Sequence, residues 1–459
     1  MKYRNYWLLY LSLSLALLSC GKEGKTNDII DDEPGIEKGQ FLSESVVFDY
    51  FTRESKAESP SLAPQQMYRE YIQGGEIEGV KRAFWELWRR AHEEEIKKSA
   101  FGDVPVDQLK VWDIPQDEKM QIQFIAKDNK PAAGYPLIIN LHGGGRYPQV
   151  NHPWGASINT DEWKILMRFS RERYEKVPSF FVVPRMSDDR KGRWYFAPQI
   201  ATFRKLIRLG VLSGAVDPER IYLTGISEGG YGTLRLGLFM PDCFSALGVL
   251  AAAENPGGAE VNLRHSPLRM EVGENDFEYA RNTYAYRWQD VMKQLKDDNP
   301  EDYTHFVHLQ RNRGHHIKYF DVFPWMLEKS RKALPQRVTY LYENIAPDYA
   351  DVHGKYSDGV YFLDFRGLKT SSRSERMLFD VKKSGNTYEI TTKAIKGDIK
   401  GSLGIFVGNI DENQPVVVNI NGEKVYERKV RASRAAVAES ISLYSDPKRI
   451  FTRKITVNI

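Results

Sequence analysis

The chain has 459 residues, 41% of them hydrophobic and 27% charged, and a formal net charge of +4 at pH 7. So even a balance implies no polyanionic partner, and nucleic acid is not expected. The composition is that of an ordinary globular protein, long enough for a large core and, as a soft prior, about three domains.

Lys2 and Arg4 precede an unbroken low-polarity run over 6–18, shorter than the roughly 20 apolar residues that a bilayer requires. Residues 1–19 therefore read as a signal peptide. Leu17-Leu18-Ser19-Cys20-Gly21 resembles the bacterial lipoprotein signal. That resemblance implies a lipid on the Cys20 thiol, Cys20 as first mature residue, and a chain anchored to the membrane of the cell envelope. Cleavage removes Lys2 and Arg4 and no acid, so the charge falls from +4 to +2. Residues 20–40 are charged and rich in small residues without an apolar period, as expected of a disordered tether. Cys243 then has no partner within the chain and reads as a small buried apolar group, leaving stability to packing.

Residues 41–108 form an N-terminal helical segment. Ile77, Val80, Phe84, Leu87 and Ala91 recur at spacings of three and four, while Glu93 and Glu94 each face a lysine four residues on. This predicts an amphipathic helix, with Trp85 and Trp88 widening the face that packs on the main domain. Runs at 109–114 and 120–126, joined by a turn holding Pro115 and Asp117, predict an antiparallel hairpin. The continuous apolar run 136–141 fits a parallel strand covered on both faces, and it ends in His142-Gly143-Gly144-Gly145. A helix at 161–169, a strand at 180–184, a loop at 185–194 and a helix at 200–212 follow. Asp217-Pro218 turns the chain into the strand that ends at Ser227, and a helix continues to about 239. Strands at 246–252 and 268–272, a helix at 279–295, a strand at 304–309 and a closing helix at 319–332 complete the region. Alternation of buried strand with helix over 109–335 predicts an α/β domain, doubly wound and mostly parallel, with the hairpin at one edge.

From 336 to 459 the texture changes. Strands are predicted at 338–342, 360–365, 377–381, 387–392, 403–407, 416–420, 424–430 and 451–457, with Asn421-Gly422 as a type I′ hairpin signal. The expectation is an all-β, sandwich-like module. All nine tryptophans lie at or before Trp325, so this module lacks the indole platform of many sugar-binding surfaces; a structural appendage is the simpler use and ligand binding the alternative.

The stretch Gly225-Ile226-Ser227-Glu228-Gly229 sits between a predicted strand and a predicted helix. Glycines on both sides of Ser227 permit a strained turn that lifts its hydroxyl above the sheet. A serine hydroxyl becomes a nucleophile only when a base accepts its proton and a third group fixes that base. Asp276 lies 49 residues after Ser227, at a strand tip, and His315 a further 39 on, just past the last strand. Glu274 shares the turn of Asp276 but stands two residues nearer the strand, which points it back toward the sheet. His316 adjoins His315, yet Gly314 lets the backbone turn immediately before His315. His305 and His308 lie inside a strand and read as structural. Two N–H donors must receive the oxyanion: Glu228, the residue after the nucleophile, and Gly143 or Gly144. No P-loop, dinucleotide fingerprint or His-Glu-x-x-His is present, so neither phosphate cradle, metal nor cofactor is expected. Trp194, surrounded by Arg185, Arg190, Lys191 and Arg193 and partly offset by Asp188 and Asp189, is a candidate substrate contact.

Leu-His-Gly-Gly-Gly at 141–145, Gly-Ile-Ser-Glu-Gly-Gly-Tyr-Gly at 225–232, Gly-Glu-Asn-Asp at 273–276 and Gly-His at 314–315 together resemble an α/β-hydrolase. The similarity spans 120–332 and points to the secreted-esterase, polyhydroxybutyrate-depolymerase-like and prolyl-oligopeptidase-like branches. It implies a Ser227, His315, Asp276 triad working through an acyl-enzyme. A carboxylesterase is the expected activity, with acyl or feruloyl groups of polysaccharides among the candidate substrates. A serine peptidase of the prolyl-oligopeptidase type is the alternative. Its relatives usually carry a β-propeller first, which the roughly 100 residues ahead of the domain are too few to build. A binding lipoprotein without activity is the third reading, and the complete set of three groups argues against it.

Overall fold

Along the central strands the apolar side chains part alternately to two sides. Leu137 and Ile139 enter one core while Ile138 enters the other, and Phe180 and Val182 part from Phe181 and Val183 in the same way. A strand apolar on both faces must be covered by helices on both. The computed structural model shows that architecture and describes residues 43–102, 106–172, 177–347 and 354–459. The expected leader, the expected tether and the expected lipidation site at Cys20 lie outside the described residues.

Eight strands form the sheet: β1 (Asp107–Ile114), β2 (Glu118–Lys127), β3 (Tyr135–Leu141), β4 (Ser179–Pro184), β5 (Val216–Ile226), β6 (Ala246–Leu250), β7 (Leu268–Gly273) and β8 (His305–Gln310). Their order is β1-β2-β4-β3-β5-β6-β7-β8. The β1/β2 hairpin is antiparallel, as is β2 on β4; from β4 to β8 neighbours run parallel. This is the α/β-hydrolase fold. Helices Ser157–Glu172 and Val322–Leu327 share one face with Ile138, Phe181 and Tyr222. Helices Ala197–Leu212, Glu228–Phe239 and Arg281–Asp298 cover the other.

The closing helix is shorter than its sequence suggests, ending at Leu327. The N–H of Arg331 donates to the carbonyl of Glu219 at 3.0 Å, and its guanidinium donates to the carbonyls of Pro218 and Asp242. These bonds hold Arg331 against the first residues of β5, out of helical geometry.

Two five-stranded sheets follow. One contains Lys400–Val407 and Arg453–Asn458, the other Arg337–Glu343, Arg376–Ser384 and Thr387–Lys396. Both contribute to one core, in which Leu403, Ile405 and Val457 meet Val338, Phe379 and Ile390. Asn421 and Gly422 both have positive φ, 51° and 87°, as a type I′ turn requires. The run at 360–365 is broken into Gly359–Val360 and Leu363–Asp364 by Tyr361 at φ 54°. A helix, Arg434–Tyr444, interrupts the strands and packs against the N-terminal helices through Ala435, Val437, Ala438 and Ile441 against Val47, Phe51 and Trp88.

Candidate active site

The turn after β5 is where the sheet presents its chemistry. Ser227 takes φ 55° and ψ −117°, a conformation that costs a residue with a side chain roughly 1–3 kcal/mol. Close packing enforces it. A Cβ on Gly225 would stand 2.3 Å from the carbonyl oxygen of Gly229, and one on Gly229 would stand 2.1 Å from that of Leu141. Only glycine fits at either position. The N–H of Ser227 donates to the carbonyl of Leu250 at 2.8 Å, tying the elbow to β6.

His315 follows β8 and reaches both of its expected neighbours. With Asp276 ionised, His315 Nδ1–H donates to Asp276 Oδ2 at 2.8 Å, and Nε2, 3.0 Å from Ser227 Oγ, accepts from the serine hydroxyl. Asp276 is buried, and its other oxygen accepts from Arg281 Nη1 at 2.9 Å. Arg281 in turn donates from Nε to the Tyr231 hydroxyl at 3.0 Å, so the acid is fixed from two sides. Glu274 points elsewhere and accepts from the N–H of Asn312. The exposed His316 ring lies 6.4 Å from that of His315. His308 pairs with Glu271, and His305 with the carbonyl of Tyr303.

Glu228 is the first residue of helix Glu228–Phe239, and an N–H in that place has no intrahelical acceptor. Gly143 lies beside the nucleophile: a Cβ there would lie 3.3 Å from Ser227 Cβ. Gly144, at φ 100°, admits no side chain, since a Cβ would fall 1.9 Å from Asn159 Oδ1. Asn159 clamps the loop by accepting from the N–H of Gly145 and donating to its carbonyl, both at 2.9 Å. Its amide also donates to Asp189, which Arg185 holds through two short bonds.

His142 is the second clamp. Its ring is fully buried; Nε2 accepts from the N–H of Met186 at 3.1 Å, so Nδ1–H donates to the carbonyl of Gly143 at 2.6 Å. Burial, with the Arg185 cation adding to it, lowers the imidazole to about 3, leaving it neutral. None of Asn159, Asp189 and His142 forms part of the serine motif, and only the glycine run beside His142 hints at this clamp.

Trp194 differs from expectation. The indole is fully buried: it donates to the carbonyl of His142 at 3.2 Å and covers Gly232, where a Cβ would approach within 2.5 Å. A side chain with no exposed surface does not meet a substrate, so Trp194 is a support for the glycine loop. The charges around it pair off: Arg185 with Asp189, Arg190 with Asp188, Lys191 with Glu118 and Arg193 with Glu228. Burial raises the Glu228 carboxyl, and Arg193 pulls it the other way. Among the described residues, no three His, Cys, Asp or Glu side chains group to hold a metal ion.

Neither a family model nor a curated protein sequence matches the chain. Solved structures do. A thermostable esterase aligns at 20% identity over 49% of this chain and 63% of its own, with a TM-score of 0.37. Esterase 2 of Thermogutta terrifontis aligns at 15% identity over 49% and 90%, with a TM-score of 0.34. The poly(3-hydroxybutyrate) depolymerase LpqC of Bordetella parapertussis aligns at 13% identity over 48% and 89%, with a TM-score of 0.37.

Proposed function

We propose that the chain is a serine hydrolase of the carboxylic-ester type. The observation that carries this is the hydrogen-bonded series Ser227 Oγ, His315 Nε2, His315 Nδ1 and Asp276 Oδ2, with heavy atoms 3.0 and 2.8 Å apart. In this reading His315 takes the Ser227 proton as Oγ attacks the ester carbonyl. The oxyanion is received by the N–H of Glu228 and that of Gly143 or Gly144. Collapse expels the alcohol, which takes the proton from His315 Nε2. Water then gives its proton to His315, attacks the acyl-enzyme, and releases the carboxylic acid and free serine. Asp276 stays ionised throughout and steadies the imidazolium.

Acylated or feruloylated polysaccharide is the proposed substrate class, met by a lipoprotein tethered through Cys20 in the cell envelope. Fluorophosphonate labelling of the wild type, absent in Ser227→Ala, tests the nucleophile; equal labelling of both proteins would sink it. A panel of p-nitrophenyl esters, acetylated and feruloylated oligosaccharides and dipeptidyl anilides then separates ester from amide chemistry. Turnover of the anilides alone would favour a peptidase, and turnover of none a binding protein.

A further inference from the structure

The carboxylates around Ser227 are matched by arginines. Asp276 meets Arg281, Glu228 meets Arg193, Glu254 meets Arg235, Asp189 meets Arg185 and Asp188 meets Arg190. Glu162 breaks the pattern. It projects from helix Ser157–Glu172 and, among the described residues, makes no ion pair and no hydrogen bond.

Its position gives that charge a use. Glu162 Oε2 lies 3.2 Å from the point where a Gly143 Cβ would be, and Ser227 Cβ lies 3.3 Å from the same point. The carboxylate thus stands close to Ser227, within reach of a charged chain on an acyl group bonded to its Oγ. Burial raises the Glu162 carboxyl, nearby His315 and His316 pull it the other way, and Asp161 adds a second negative charge. Tyr147 and Tyr319 lie near enough for the Glu162 charge to act on them. Arg193 and Arg281 are already engaged, by Glu228 and Asp276.

We infer that Glu162 is the charge-selecting residue of the acyl subsite, favouring esters whose acyl chain carries an amine over those whose acyl chain carries a carboxylate. The inference rests on the ester-hydrolase reading above. At roughly 6 Å and an effective dielectric near 40, one unit charge shifts a rate about tenfold in either direction.

The test uses 4-methylumbelliferyl esters of hexanoic acid, 6-aminohexanoic acid and adipic acid (half ester) at pH 8, with kcat/KM measured for the wild type, Glu162→Gln, Glu162→Asp and Ser227→Ala. In the wild type, the amine-bearing ester is expected to exceed the carboxylate-bearing one about 100-fold, with hexanoate between them. Glu162→Gln should bring the two within about threefold, and Glu162→Asp should keep their order. Each ratio is taken within one protein, so a general loss of activity cancels. A wild-type ratio near one, or a ratio unchanged in Glu162→Gln, overturns the inference and leaves the hydrolase reading standing. Hydrolysis of no ester by the wild type overturns both, and equal hydrolysis by Ser227→Ala overturns the serine mechanism whatever the ratio.

Discussion

Replacing His142 by Leu tests how the glycine loop is held. The change leaves two buried groups without partners, the N–H of Met186 and the carbonyl of Gly143. Each stranded group costs about 1–3 kcal/mol, so the fold should lose about 2–6 kcal/mol at neutral pH. The imidazole adds a pH signature. Its folded value of about 3 lies below the usual histidine value of 6.5, so its contribution is complete above 6.5 and is lost as pH falls toward 3. At pH 5 the unfolded ring is protonated and the folded ring is not, which removes about 2 kcal/mol from the wild type and nothing from the variant. Urea unfolding of both proteins at pH 7.5 and pH 5 should therefore show the gap between them narrowing by about 2 kcal/mol. His92 and His265, also buried and lowered, to about 3 and 4 respectively, are common to both proteins and cancel in the difference. Activity should fall as well, by roughly 10² to 10³ in kcat, if a tilted Gly143 withdraws one oxyanion donor. A gap independent of pH would show that the ring is not held neutral, and an unchanged kcat that the loop does not depend on it.

Two further substitutions probe the same site. His315→Ala should lose roughly 10⁴ to 10⁶ in kcat, while His316→Ala, whose ring touches neither Ser227 nor Asp276, should stay within about tenfold; the reverse ranking in an ester assay would move the base to His316. Gly144→Ala forces a Cβ to within 1.9 Å of Asn159 Oδ1 at a φ of 100°, so thermal unfolding should show a loss of about 1–3 kcal/mol. The same variant should lose kcat more than affinity for a substrate analogue, and wild-type kinetics would refute the clamp.

What the chain discloses by itself depends on how local the physics is. The order of strands and helices is legible because buried strands read as continuous apolar runs and helices as periodic ones. Ser227 is legible because a sharp turn demands Gly225 and Gly229 at fixed offsets. The clamps are not legible. Asn159 and Asp189 act across the loop from helix and turn positions that carry no motif, and their meaning exists only once β3 and β4 lie side by side. Trp194 misleads because its basic neighbours look like a cationic surface, whereas Asp189, Asp188, Glu118 and Glu228 each neutralise one of them. Helix Arg434–Tyr444 escapes notice for another reason: eight consecutive residues from Ala435 to Ser442 are buried, so the run has no polar face and no helical period.

That helix bears on whether the C-terminal module is a separate bead. Four buried charges join it to the α/β domain: Asp242 and Arg331 from one side, Asp446 and Arg449 from the other. Arg449 bonds both Asp242 and Asp446, and Arg331 reaches Asp446 at 2.7 Å. Burial raises the Asp446 carboxyl, but the facing arginines win and hold it below its ordinary value, so this contribution is present at neutral pH and is lost as pH falls through that lowered value. Breaking one partner of such a buried set costs about 3–5 kcal/mol, the loss expected of Asp242→Asn. The tryptophans report only on residues up to Trp325, whereas far-ultraviolet circular dichroism reports on the whole chain. If the network and the shared helical core make Phe41–Ile459 one cooperative unit, both signals should move together to lower temperature in Asp242→Asn. If tryptophan fluorescence kept its wild-type midpoint while circular dichroism lost its β component first, the module would be an independent bead, and the buried charges a local matter of its own stability.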